Sequence, residues 1–84
     1  MVFVTDETED YTIDNIKYSL KKPPARDHAK YEKQLGIVND SEEILELSYK
    51  YLEKLGLSKD ISEKLRTKQL FALIADLAGL DKKK

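Results

Sequence analysis

Eighty-four residues, 37% of them charged and 40% hydrophobic, make one globular domain at most. A chain of that size buries only about 60–65% of the surface its unfolded form exposes, so it is marginal unless well packed or oligomeric. Fifteen basic side chains against sixteen acidic ones leave a net charge of −1, which gives no bulk attraction to nucleic acid or an anionic membrane. The lack of cysteine excludes a disulfide framework and thiolate metal sites, and it fits a reducing compartment. No apolar run approaches the roughly 20 residues of a membrane span. Nor does Met1-Val2-Phe3-Val4-Thr5 carry the basic and apolar regions of a signal peptide, so the expected setting is the cytosol.

Residues 1–10 read as an acidic segment, with Asp6, Glu7, Glu9 and Asp10 following a possible short strand at Val2-Phe3-Val4. The acidic run is either a docking tail or, more plainly, a solvated loop. Residues 11–79 then form the domain proper. Tyr11-Thr12-Ile13 and Ile16-Lys17-Tyr18-Ser19-Leu20 alternate at period two around Asp14-Asn15, two residues that tolerate the positive φ of a type I′ turn. The spacing predicts a β-hairpin with Ile16, Tyr18 and Leu20 on one face and Lys17, Ser19 and Lys21 on the other. A third strand at Val2-Phe3-Val4 would make it a meander.

Pro23 and Pro24 stop the second strand, and Pro24 suits a first helical turn. The helix it opens carries Arg26, Asp27, Ala29, Lys30, Tyr31 and Leu35, with Gly36 expected as its left-handed stop. Its apolar stripe is thin, so much of it should face solvent. Ile37 and Val38 are expected to plug the core. Asp40 is placed to cap a second helix, with Glu43 three residues on completing an acidic capping box. That helix repeats Ile44, Leu47, Tyr51 and Leu55 at helical spacing until Gly56. Ser58 is expected to cap a short turn holding Ile61 and Leu65. Thr67 should cap a last helix with Leu70, Leu73, Ile74 and Leu77, stopped by Gly79. Asp76 sits where the helix dipole disfavours an acid. Residues 80–84 end in a basic tail, Lys82-Lys83-Lys84. The fold class is α+β: an N-terminal hairpin followed by three to four helices.

Little here points to catalysis. His28 is the one histidine; without cysteine it has no zinc set, and neighbouring Asp27 points elsewhere on a helix. Glu42, Glu43 and Glu46 read as a solvated face rather than an acid–base pair. Three glycines supply no phosphate-cradling loop. The residues thus predict a non-enzyme with no cofactor and no metal. Nucleic-acid binding has one feature in its favour. Lys17, Lys21, Lys22, Arg26, Lys30 and Lys33 outnumber Asp27 and Glu32 in one segment and interleave with Tyr18 and Tyr31. The last two helices also loosely match helix-turn-helix spacing, but the second is almost wholly apolar after Gln69, where a groove reader needs a polar face. Tyr49 and Tyr51 lie about 200° apart on a helix, so they cannot both face one core. At least one is expected at the surface as an interface anchor. Tyr31, Tyr49 and Tyr51 are therefore the candidate partner-binding residues, with Lys22 and Arg26 as a charged rim.

The hairpin Tyr11 to Tyr18, then Leu20-Lys21-Lys22-Pro23-Pro24-Ala25-Arg26-Asp27, resembles the opening of the short tail assembly chaperones of long-tailed bacteriophages and prophages. There a hairpin commonly leads into a basic-Pro-x-x-x-Asp helix start. Leu57-Ser58-Lys59-Asp60-Ile61, Leu65-Arg66-Thr67-Lys68-Gln69-Leu70 and Ile74-Ala75 are similar to their closing helices. The motifs are loose but span most of residues 11–79. The resemblance implies a non-enzymatic assembly factor in the cytoplasm of a bacterial host. It would bind the long helical tape measure protein, and the tail tube protein as a second partner, with scope for self-association. Family members often also exist as a longer frameshifted product, and Lys82-Lys83-Lys84 is either the trace of a slippery A-rich run or a solubilising tail. The other function class that the residues leave open is a small DNA-binding or regulatory protein.

Overall fold

A hairpin laid against a small helical layer makes an α+β fold. The computed structural model describes residue 2 and residues 7–79. Phe3, Val4 and the Lys82-Lys83-Lys84 tail lie outside the described residues, so the sheet described here has two strands. Strands β1 (Thr8–Ile13) and β2 (Ile16–Lys21) pair antiparallel with Tyr11 opposite Tyr18 and Ile13 opposite Ile16. Asp14 and Asn15 sit at φ 52° and 68°, the left-handed pair that a type I′ turn needs to match strand twist. The strand begins at Thr8, three residues before the alternating pattern does, because Lys22 N–H donates to Glu7 O at 3.0 Å and extends the ladder. On the solvent face the Ser19 hydroxyl donates to its cross-strand partner Asp10 at 2.7 Å. On the other face burial deepens away from the turn, from Ile16 at 56% exposed to Leu20 at 0%.

Helix α1 (Ala25–Ile37) starts one residue later than expected, with Pro24 as the capping residue and Asp27 N–H donating to Pro24 O at 3.1 Å. Its thin apolar stripe leaves Tyr31 as the one buried residue of the helix. Gly36 does not end it. The helix continues through Gly36 to Ile37, and the chain leaves at an extended Val38 whose N–H still reaches Gln34 O. Ile37 is consequently 72% exposed rather than a core plug, while Val38 is half-buried.

Helix α2 (Ser41–Leu55) opens as expected on Asp40, whose carboxylate accepts from Glu42 N–H at 3.2 Å. The bond goes to Glu42 and not Glu43, so this is a plain cap rather than a box. At the other end Gly56 adopts φ 114°, and Leu57 N–H returns to Leu52 O at 3.0 Å, the wide-loop bond of a Schellman stop. That stop tucks Leu57 into the core at 0% exposure. It also brings Gly56 to Leu20: a Cβ on Gly56 would lie 3.7 Å from the Leu20 side chain.

A single turn, α3 (Lys59–Ser62), and α4 (Thr67–Leu77) complete the layer. Ser58 precedes α3 without a side-chain cap bond. Thr67 is the first residue of α4, not its cap. Arg66 holds the capping position, and its N–H donates to the Gln69 side-chain oxygen at 2.9 Å. An arginine side chain has no acceptor, so the bond runs in that one direction. Leu70, Leu73, Ile74 and Leu77 of α4 join Leu20, Leu52, Leu55 and Leu57 in the core. Asp76, the acid at the unfavourable end, accepts from the Tyr11 hydroxyl and so ties α4 to β1. That bond, together with solvent, offsets the dipole cost.

The two glycines predict opposite outcomes. Gly56→Ala should destabilise the fold by about 1–2 kcal/mol, because the left-handed backbone and not lack of space is what excludes a side chain. Gly36→Ala should stabilise it by up to about 1 kcal/mol, since Gly36 is helical with no atom near a new Cβ. Urea midpoints of the two variants, compared with the parent, check both signs.

Candidate partner-binding groove

The contact that sets α1 on α2 is an aromatic stack. The rings of Tyr31 and Tyr51 lie 4.3 Å apart and 6° from parallel, and they are 5% and 6% exposed. Each hydroxyl is satisfied, as buried tyrosines require. Ser48 Oγ donates to Ile44 O at 2.9 Å, which uses its single hydrogen, so the Tyr31 hydroxyl donates to Ser48 Oγ at 2.6 Å. The Tyr51 hydroxyl meets His28 Nδ1 at 2.9 Å, and His28 Nε2 faces Glu32 at 3.3 Å. With the imidazole proton on Nε2 pointing at the carboxylate, Nδ1 accepts from Tyr51. His28 is thus a half-buried connector between the two helices.

This corrects two of the expected partner-binding residues. Tyr31 and Tyr51 belong to the core instead of standing out at the surface. Burial wins because the stack and four hydrogen-bonding groups are complete within the chain. Tyr49 lies round the helix from Tyr51 and is half-buried, packed at the margin of the core. Lys22 is engaged by Glu7 and Glu9, both at 3.5 Å, and the Glu7 carboxylate first among these holds its ammonium above the ordinary lysine range. Arg26 remains exposed in the first turn of α1. The structure does not bring these five residues together into one patch.

What the two helices do form is an open groove of about 410 Å³ beside the stack. Ile37 and Val38 line it from the end of α1, Leu47 from the middle of α2, and Gln34, Glu43, Glu46 and Lys50 form its rim. The groove continues past Tyr31 and Tyr51 toward Asp27 and Lys54. Periodicity alone places Ile37 about 120° round the helix from Tyr31, hence away from the core, provided the helix is run through Gly36. The expected glycine stop hid that signal. Ionisable groups near the floor reflect burial: Tyr51 is pushed up to about 12, by desolvation first and then by Asp27, and Tyr31 is raised by desolvation. Tyr11 is raised in the same sense, by burial first and then by its bond to Asp76.

Among the described residues no group of three or more acidic, histidine or cysteine side chains is placed to hold a metal ion. No described helix is long and apolar enough to cross a membrane. No protein-family model, curated protein or solved structure matches the chain.

Two outcomes follow from the stack. Tyr51→Ala should cost about 3–5 kcal/mol, enough to unfold much of so small a domain, and thermal melts should separate it clearly from a milder Tyr49→Ala. The raised tyrosines also predict alkaline unfolding. A hydroxyl whose folded pKa exceeds its unfolded value near 10 stabilises fully below pH 10 and loses that contribution as pH climbs toward 12. Absorbance at 295 nm and far-UV circular dichroism should therefore change together in that window.

Proposed function

We propose that this protein is a non-enzymatic binding module that seats an amphipathic helix of a protein partner in the α1–α2 groove. The observation that carries this reading is Ile37, 72% exposed at the end of α1 beside Val38 and Leu47. An apolar floor with a polar rim between two helices suits a third helix presenting anchors at i, i+3/i+4 and i+7. A side chain of that size held in water is an unfilled contact worth about 1.5–3 kcal/mol when buried.

The resemblance of the hairpin and the Lys22-Pro23-Pro24-Ala25-Arg26-Asp27 junction to short phage tail assembly chaperones names a partner of that chemistry. A tape measure protein is long, helical and prone to aggregate, and it needs its apolar stripes covered until tail tube subunits enclose it. The module would act in the bacterial cytoplasm, with its charged exterior keeping the complex dissolved. DNA binding has less support: α4 commits Leu70, Leu73, Ile74 and Leu77 to the core, and Tyr31 is not free to stack.

Ile37→Asp should weaken binding of a tape measure helical segment by about tenfold or more, as for a central interface anchor, with the thermal melt unchanged. Isothermal titration with the full chain reads both affinities. Equal affinity of variant and parent would place the partner elsewhere. Retardation of duplex DNA at low salt would favour the regulatory alternative.

A further inference from the structure

The face of α2 that carries Leu47 holds its charges in a particular order: Asp40 and Glu43 precede Leu47, and Lys50 and Lys54 follow it. Glu46 also lines the groove, but it is paired with Lys59 of the same chain. At about 100° per residue the first four fall within roughly 60° of Leu47, so they form one stripe. All four are exposed, and Leu47 between them is half-buried. Among the described residues Glu43, Lys50 and Lys54 enter no ion pair, whereas Lys22 and Lys59 are each paired twice within the chain.

A stripe that is acidic on one side of an apolar centre and basic on the other complements itself when turned end for end. A two-fold axis near Leu47 sets Glu43 opposite Lys50 of a second copy, and Asp40 opposite Lys54. Each pair then occurs twice, flanking an apolar centre of Leu47, Ile37 and Val38 from both chains. The parallel arrangement would set acid on acid. We infer that the α1–α2 groove is also the interface of a two-fold homodimer, with α2 antiparallel to α2 of the second copy. An interface confined to two helices per chain falls in the small class, under about 1,200 Å², so the dimer is transient and weakened by salt. The pattern belongs to the chain itself, and the inference stands whatever partner helix the groove accepts.

Sedimentation equilibrium of the full chain tests it. The apparent mass should rise from 9.7 kDa toward twice that value with concentration. Glu43→Lys and Lys50→Glu should each raise the dissociation constant about tenfold, since each turns two symmetry-related attractions into repulsions. The double variant Glu43→Lys/Lys50→Glu should recover association. An equimolar mixture of the two single variants should associate more tightly than either alone, which a loss of folding would not produce. A parent that stays monomeric to about 1 mM, the weakest range in which specific association is measured, would overturn the inference. So would a double variant no tighter than the singles.

Discussion

The stack of Tyr31 on Tyr51 is the contact on which the helical layer depends. Helix α1 has little else to offer the core, and its neighbours along the chain, Lys30, Glu32 and Lys33, face solvent. One ring per helix, with centroids 4.3 Å apart, fixes both the spacing and the rotation of the pair. Aromatic pairing contributes about 0.5–1.5 kcal/mol beyond the area it buries. The hydroxyls add direction: Tyr31 to Ser48 and Tyr51 to His28 lock each ring by its edge. Because α1 is seated this way, its last turn leaves Ile37 exposed beside Leu47 at the open groove.

The hairpin is held to this layer by a different device. Leu20 supplies the apolar contact and Gly56 permits it, since the left-handed stop of α2 carries the chain against β2. The Tyr11 hydroxyl on Asp76 supplies a polar tie between β1 and α4. Ion pairs such as Lys59 with Glu46 at 3.2 Å span α3 and α2, but both partners are exposed and contribute little. Order in this small domain therefore comes from a few well-satisfied buried groups. Among the described residues Glu43, Lys50 and Lys54 along α2 enter none of the ion pairs.

Local chemistry was legible wherever one residue decides a backbone state. Asp14-Asn15, Asp40, Gly56 and Gly79 each do what their residue types dictate, because positive φ and orphan N–H groups are local problems with local solutions. Gly36 was misleading for the same reason. Glycine permits a left-handed stop but does not impose one, and the helix passes through it to end at Ile37. Tyr31 and Tyr51 defeated the expectation of surface anchors because a tyrosine reads as amphipathic until its hydroxyl's partner is known. Ser48 and His28 lie 17 and 23 residues from the tyrosines they satisfy, a separation no periodicity reports.

By itself the sequence determined the hairpin, its turn, a succession of three to four helices and both ends of α2, since these follow from steric and hydrogen-bonding rules acting within a few residues. It also contained the ordered charges on α2, although only a known exposed face gives that order meaning. The tertiary structure alone decided which tyrosines are core, which apolar residue is left in water, and where a groove lies. Those outcomes depend on the rotation of one helix against another, and that rotation is set by contacts between residues far apart in the chain.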